Sequence, residues 1–208
     1  MTKRAWGAAI QNREEKFELK RRAVLLSAAR IMRRTGFGAL SLGDIAVDLN
    51  VAKPTIYYYF RNKEEIVREL MEIAVVAFQD PSEFPADFPD EAGLTGEQQF
   101  ERFVRRAVRI TNDGAGACLI TVYPSQLAPE LRRDLDAIGR PISDWCVRIL
   151  RTGIADGSIR PCDPFTIYGF MIYGLRGIPM LVEAGGGTSE EIADKVVSLL
   201  AHGIRTAS

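Results

Sequence analysis

Between Ser41 and Glu64 the chain reads SLGDIAVDLNVAKPTIYYYFRNKE, and this stretch limits the fold more than any other. Ile45 and Leu49 stand four apart, the spacing of neighbours on one helix face. Ile56, Tyr59 and Phe60 repeat that spacing further on. With Val51 they can close one apolar cluster, so the stretch predicts two short helices joined by a tight turn. Ser41 can cap the first helix, and Asp44 puts an acid in its first turn. Asn50 falls at the turn, where a side chain that tolerates the left-handed conformation is needed. Pro54 suits a first helical turn, because the N–H it lacks would have no partner there. Ala46 is small enough for the second helix to cross closely.

This packing leaves Lys53, Pro54, Thr55, Tyr57 and Tyr58 on the outer face of the second helix. Two adjacent exposed tyrosines are a costly way to make a solvated surface. They fit a major groove, with hydroxyls and an ammonium for phosphates and threonine and proline carbons for thymine methyls. The competing reading is a helical hairpin whose tyrosines pack against another element.

The flanks extend the unit. From about Lys16 to Thr35, Val24, Leu25, Ala28, Ala29 and Met32 form a helical stripe, and Gly36 is the natural stop. Phe37, Leu42 and Phe60 can complete a small core. Asn62 can cap a further helix running to about Phe78, basic at its start and apolar later. That helix links the unit to the rest of the chain, and pivoting it would move the reading face.

These residues resemble the N-terminal domain of the TetR family of transcriptional regulators. The resemblance rests on Ala28-Ala29, Gly36-Phe37, Ser41-Leu42, Ile45-Ala46, Val51, Thr55-Ile56-Tyr57, Tyr59-Phe60 and Lys63-Glu64. It implies an all-α fold: a three-helix DNA-binding unit with a helix-turn-helix, then a larger helical domain for ligand binding and dimerisation. It also implies a homodimer on a palindromic double-stranded DNA operator, answering to a small-molecule effector and most often repressing. On this reading residues 1–66 are the DNA-binding domain, and 67–208 are the effector-binding and dimerisation domain. Ser41, Tyr57 and Lys63 would hold phosphates, while Lys53, Thr55 and Tyr58, with Pro54 beside them, would face bases. Three positions depart from the family pattern: Asn50 and Pro54 stand where glycine is usual, and Ala52 where Ser or Thr often caps the second helix.

The formal net charge of zero seems to argue against nucleic acid, but its distribution does not. Residues 1–68 hold 14 Lys+Arg against 7 Asp+Glu, and the other 140 residues hold 13 against 20. A basic head on an acidic body suits a DNA-binding module joined to a domain with another task. Residues 1–16, with Lys3, Arg4, Arg13 and Lys16, read as a loose arm turning helical near its end and able to lie along phosphates.

In the body, Asp80–Gly96 contains three prolines and reads as an acidic loop, pinned by Phe84 and Phe88. Residues 97–112 return to helix, with Arg102, Arg105, Arg106 and Arg109 on a solvated or ion-paired side. Ala115–Tyr123 is ambiguous between strand and buried helix by periodicity, and its surroundings favour helix. Pro129 opens a long helix to Asp156, with Pro141 predicting a kink or break near Gly139. From Phe165 to about Glu183 the chain is apolar nearly all round, so it must be buried on several sides. Gly169, Gly174 and Gly177 would let a partner backbone approach. A last amphipathic helix follows Thr188. The last two helices carry more apolar surface than one body needs, which points to a subunit interface.

No catalytic constellation emerges, so an enzyme is not expected. His202 is the one histidine and has no nucleophile near it in sequence; Cys118, Cys146 and Cys162 lack zinc-site spacing. No metal or cofactor is expected. The odd cysteine count suggests reduced thiols in a cytosol, and no stretch is apolar enough to span a membrane. A small molecule could lie in an apolar cavity of the body, with Phe103, Tyr123, Trp145, Phe170, Met171 and Tyr173 as candidate lining residues. The second hypothesis is a helical carrier or enzyme whose tyrosine-rich helix only packs.

Overall fold

The computed structural model describes residues 2–80, 93–112, 116, 122, 125, 127–178, 181 and 184–204. Among them are eight α-helices: α1 (Thr2–Ala39), α2 (Leu42–Asp48), α3 (Lys53–Tyr57), α4 (Lys63–Gln79), α5 (Gly96–Asn112), α6 (Pro129–Asp156), α7 (Pro164–Leu175) and α8 (Ser189–Ile204). The all-α expectation holds. None of these helices is long and apolar enough to cross a membrane.

The expected loose arm is helical from Thr2. Its sequence explains this: Ala, Arg, Glu, Gln and Lys dominate residues 2–20, and all are strong helix formers. Gly36 breaks α1 as expected, with φ at 76°.

Two apolar cores lie along the molecule. The first gathers Val24, Ala28 and Met32 of α1, Phe37, Leu42 and Ile45, Ile56 and Phe60, and Ile66, Val67, Leu70 and Ala74 of α4. Leu49 and Tyr59 pack at its edge. Val51, expected inside, is exposed instead. Its N–H still ties the turn down by donating to the Ala46 carbonyl at 2.9 Å. The second core joins Val75 and Phe78 of α4 to Phe100, Phe103 and Val104 of α5, Ile142, Ile149 and Leu150 of α6, Met171 and Leu175 of α7, and Ile192 and Val197 of α8. Helix α4 therefore feeds both cores, its first turns the head and its last turns the body. The head's core also takes Leu131 and Leu135 from α6, and Arg68 on α4 pairs with Asp134 on α6 at 2.9 Å.

The body is built on α5. It packs on α6 and α8, with Arg105 bound to Asp194 and Arg109 to Glu190. Arg106 departs from the expected solvated side and is buried. Its guanidinium lies over Phe78 and Trp145 and donates to the Asp80 carbonyl at 2.6 Å. Gly96 starts α5 hard against α6: a Cβ there would sit 2.1 Å from the Gly153 nitrogen. The Asp156 carboxylate accepts the Gly96 N–H at 2.7 Å and fixes this crossing.

Helix α6 runs through Pro141 without a break. Helix α7 ends at Leu175, well short of Glu183. Hydrophobic pattern continues past that point, but backbone preference does not, because Gly174 and Gly177 bracket the stop and Pro179 follows. Phe84, Phe88 and most of Ala115–Tyr123 lie outside the described residues.

Candidate functional site

The head presents one face built from α3 and its approaches. Helix α2 is capped by Ser41, whose hydroxyl oxygen accepts the Asp44 N–H at 3.1 Å and whose hydrogen goes to the Asp44 carboxylate at 2.6 Å. Asn50 takes φ of 50°, the left-handed turn that its sequence position predicts. Ala52 stands at the N-cap of α3 with no side-chain hydrogen bond, and Pro54 lies in the first turn. The departure at Ala52 thus costs α3 its cap, while Pro54 stiffens its start.

Only Ile56 of α3 is buried. Lys53, Pro54 and Thr55 are exposed, Tyr57 is 50 % exposed and Tyr58 66 %. Lys53 Nζ lies 5.9 Å from the centre of the Tyr57 ring. Tyr58 meets Tyr59 edge-on at 5.0 Å and Phe17 of α1 at 5.7 Å, and Phe17 also lies 5.0 Å from Tyr59. The three rings brace one another, so Tyr58 is oriented without being covered. Phe17 was absent from the sequence reading. Its signal was an aromatic amid charged residues, on the helix that must cross the pair.

The remaining two residues of the predicted face already have work. Ser41 holds Asp44. Lys63 Nζ reaches the carbonyls of Phe37 and Gly38 at 3.3 and 3.2 Å and lies over the Phe37 ring. It closes the end of α1, where orphan carbonyls and the helix dipole favour a cation.

Behind the face, the Asp48 carboxylate accepts from Ser27 Oγ and from Arg30 Nη2, each at 2.6 Å. The Ser27 hydrogen bond, with Arg30 next, holds its pKa below the ordinary carboxylate value. This ties α1 to the end of α2. Asn62 caps α4 by accepting the Glu65 N–H at 2.8 Å, and the Glu65 carboxylate accepts the Arg61 N–H at 2.8 Å.

The body holds a cavity of about 470 Å³ between α4, α5, α6 and α7. That volume is in the range of small-molecule sites. Phe103 and Tyr173 of the predicted set line it. Trp145 stands behind, edge-on to Phe78 and Phe103 at 5.8 and 5.5 Å. Met171 is buried in the body's core, and Phe170 is 70 % exposed on the opposite side of α7. Tyr123 lies outside the described residues. Sequence reasoning missed Tyr168, Arg140 and Arg176 on the cavity wall. Arg176 had a signal, as the one cation in the run from Phe165 to Leu181. Burial, then Cys146, pushes the Tyr168 hydroxyl up to about 12, so it stays neutral. Val122, Leu127, Leu135 and Met71 also line the cavity, and all four belong to or pack on the head's core.

Comparison with known proteins agrees with this geometry. Residues 24–70 match the family described as bacterial regulatory proteins, tetR family. An uncharacterised HTH-type transcriptional regulator of Bacillus subtilis, YhgD, is 25 % identical over 150 residues, spanning 70 % of this chain and 74 % of YhgD. A tetR-family regulatory protein from Rhodococcus RHA1 superposes with a TM-score of 0.70 at 19 % identity, covering 89 % of this chain and 97 % of that one. AibR, solved with isovaleryl coenzyme A and operator DNA, superposes with a TM-score of 0.65 at 22 % identity, covering 86 % and 96 %. The head described above spans the matched residues, and the fold is shared along the body. The head thus carries the tetR-family pattern over residues 24–70, and the chain as a whole shares the fold of these solved structures.

Proposed function

We propose that this regulator acts as a homodimeric, ligand-responsive repressor on a palindromic operator. Residues 1–66 act as the reading head and 67–208 as the effector and dimerisation body. The observation that carries the reading is the Tyr57–Tyr58 pair, which points outward from a helix-turn-helix whose own core is closed. Helix α3 enters the major groove. Tyr57 meets phosphate, and Lys53, Thr55 and Tyr58, with Pro54 alongside, meet base edges. Lys63 has a third ammonium proton beyond the two aimed at carbonyls, and a phosphate can take it. Ser41 sits at the start of α2, where a phosphate can share the helix end.

Dimerisation is supported by α7. Away from the cavity it carries Phe170, 70 % exposed, and Gly169 and Gly174, which have open space where a Cβ would stand. A nearly all-apolar helix with Phe170 bare suits a two-fold contact. Effector control is supported by the cavity, whose wall is continuous with the head's core. An occupant that favours one setting of α4 and α6 would change the spacing of the two heads. Among the described residues no set of side chains is arranged for a reaction, and we expect no turnover.

The test is retention of sheared genomic DNA by the purified protein, followed by sequencing of the retained fragments. One shared palindrome is expected. On that operator, Tyr57→Phe and Lys53→Ala should each weaken binding, and Lys53→Ala should lower the salt slope by about one. If neither weakens binding, α3 does not carry the contact.

A further inference from the structure

We infer that the effector is an organic anion with an apolar body, its carboxylate held by Arg176; this rests on reading the cavity as the effector site. The argument starts from the walls. Phe78, Phe103, Ala107, Ile142 and Ile172 make most of the lining apolar. An apolar molecule is favoured there by the water it leaves. Such a lining does not choose an orientation; the polar groups do.

Arg176 is placed to choose. It follows the last residue of α7 and is partly buried. Its Nη2 donates to the Val122 carbonyl at 3.0 Å, and its guanidinium lies 4.6 Å from the centre of the Tyr173 ring. These two contacts hold the plane of a side chain that would otherwise sample many rotamers. A fixed guanidinium fork matches a carboxylate, and the freedom it would lose on binding is already lost. Tyr168 adds a neutral hydroxyl on the same wall. Arg140 adds a second cation, exposed at the opening.

The acids on the lining do not compete. Asp136 and Asp144 are both exposed, and Asp136 faces Arg132 one turn back on α6 at 4.0 Å. A cationic ligand would meet carboxylates only where water screens them. An anionic one reaches Arg176 among aromatic rings, where a charge-assisted pair is worth more.

Calorimetry on the full chain at pH 7.5 tests this with two matched pairs: decanoate against decanamide, and 4-phenylbutyrate against 4-phenylbutyramide. Each acid should bind saturably and about tenfold more tightly than its amide. Arg176→Gln should abolish that preference and leave amide affinity unchanged. Arg176→Lys, which keeps the charge without the fork, should retain part of it. Arg140→Gln should cost less than Arg176→Gln. If Arg176→Gln loses its helical circular dichroism, the lysine variant carries the test alone. Equal binding of acid and amide, a preference that survives the Arg176 variants, or no saturable binding of either acid would overturn the inference. The same preparations report on the wider reading. A chain that retains its genomic fragments but shows no acid preference defeats this inference alone, whereas one that retains no fragment defeats the regulator reading whatever it binds.

Discussion

The head and the body solve the same problem differently. In the head, four helices bury Ile45, Ile56, Phe60 and Ile66 almost completely, and the aliphatic side chains left outside, Leu19, Val47 and Val51 among them, are spread over α1, α2 and the turn. The body fills its core equally well around Phe100, Phe103 and Leu150, yet leaves Phe165, Phe170 and Tyr173 in water. The head closes its core with only Val122, Leu131 and Leu135 lent by the body. A region with an uncovered apolar flank is unfinished until something lies on it.

The comparison can be broken at its strongest point. Phe60→Ala removes a ring that is 1 % exposed and should cost about 3–5 kcal/mol, read by urea denaturation. Loss of duplex binding should follow, because α3 leans on that ring. A much smaller cost would mean that the head is not a tightly closed unit. Phe170→Glu addresses the other side. It should barely change the stability of a single protomer, yet it should weaken self-association by about 2 kcal/mol or more, measured by sedimentation. An unchanged dimer, or a chain monomeric from the outset, would place the contact elsewhere.

Finer changes sharpen the contrast. Asn50→Ala puts a Cβ-bearing residue without a turn-forming side chain at φ of 50° and should cost about 1 kcal/mol in thermal unfolding, with Asn50→Gly tolerated. The smallest effect concerns Asp48. Its pKa is held below 3.8 in the folded head by Ser27 and Arg30. The folded state therefore binds fewer protons than the unfolded one near that pH, and the stabilisation is present above it. It fades as pH falls through the depressed folded value. Asp48→Asn should flatten that acid limb in a pH series of unfolding midpoints and leave other limbs unmoved.

Legibility followed the range of the interactions. The helix-turn-helix was readable because Ser41, Asn50, Pro54 and Asn62 act on their immediate neighbours, and each does in space what its position implies. The end of α7 was not, because apolar periodicity runs on past Leu175 while Gly174 and Gly177 interrupt the helix there. The N-terminal arm was read by its charge, and helix propensity prevailed. In the cavity, Phe103 and Tyr173 were found by residue type. Trp145, Met171 and Phe170 share that type but face elsewhere, since which side of a helix meets a void depends on packing with distant helices. Tyr168 is of the same type but was read only as part of an apolar helix, and Arg176, neither aromatic nor soft, fell outside that search although it is the one cation in its run.

Val122 and Leu135 serve two masters: each is a brick in the head's interior and part of the lining of the chamber below. The party wall has a cost for evolution. A substitution at Leu135 that widened the chamber for a bulkier guest would loosen the reading unit with the same stroke. Adaptation to new guests should therefore accumulate on the far side, at α5 and α7, while the shared partition stays as it is.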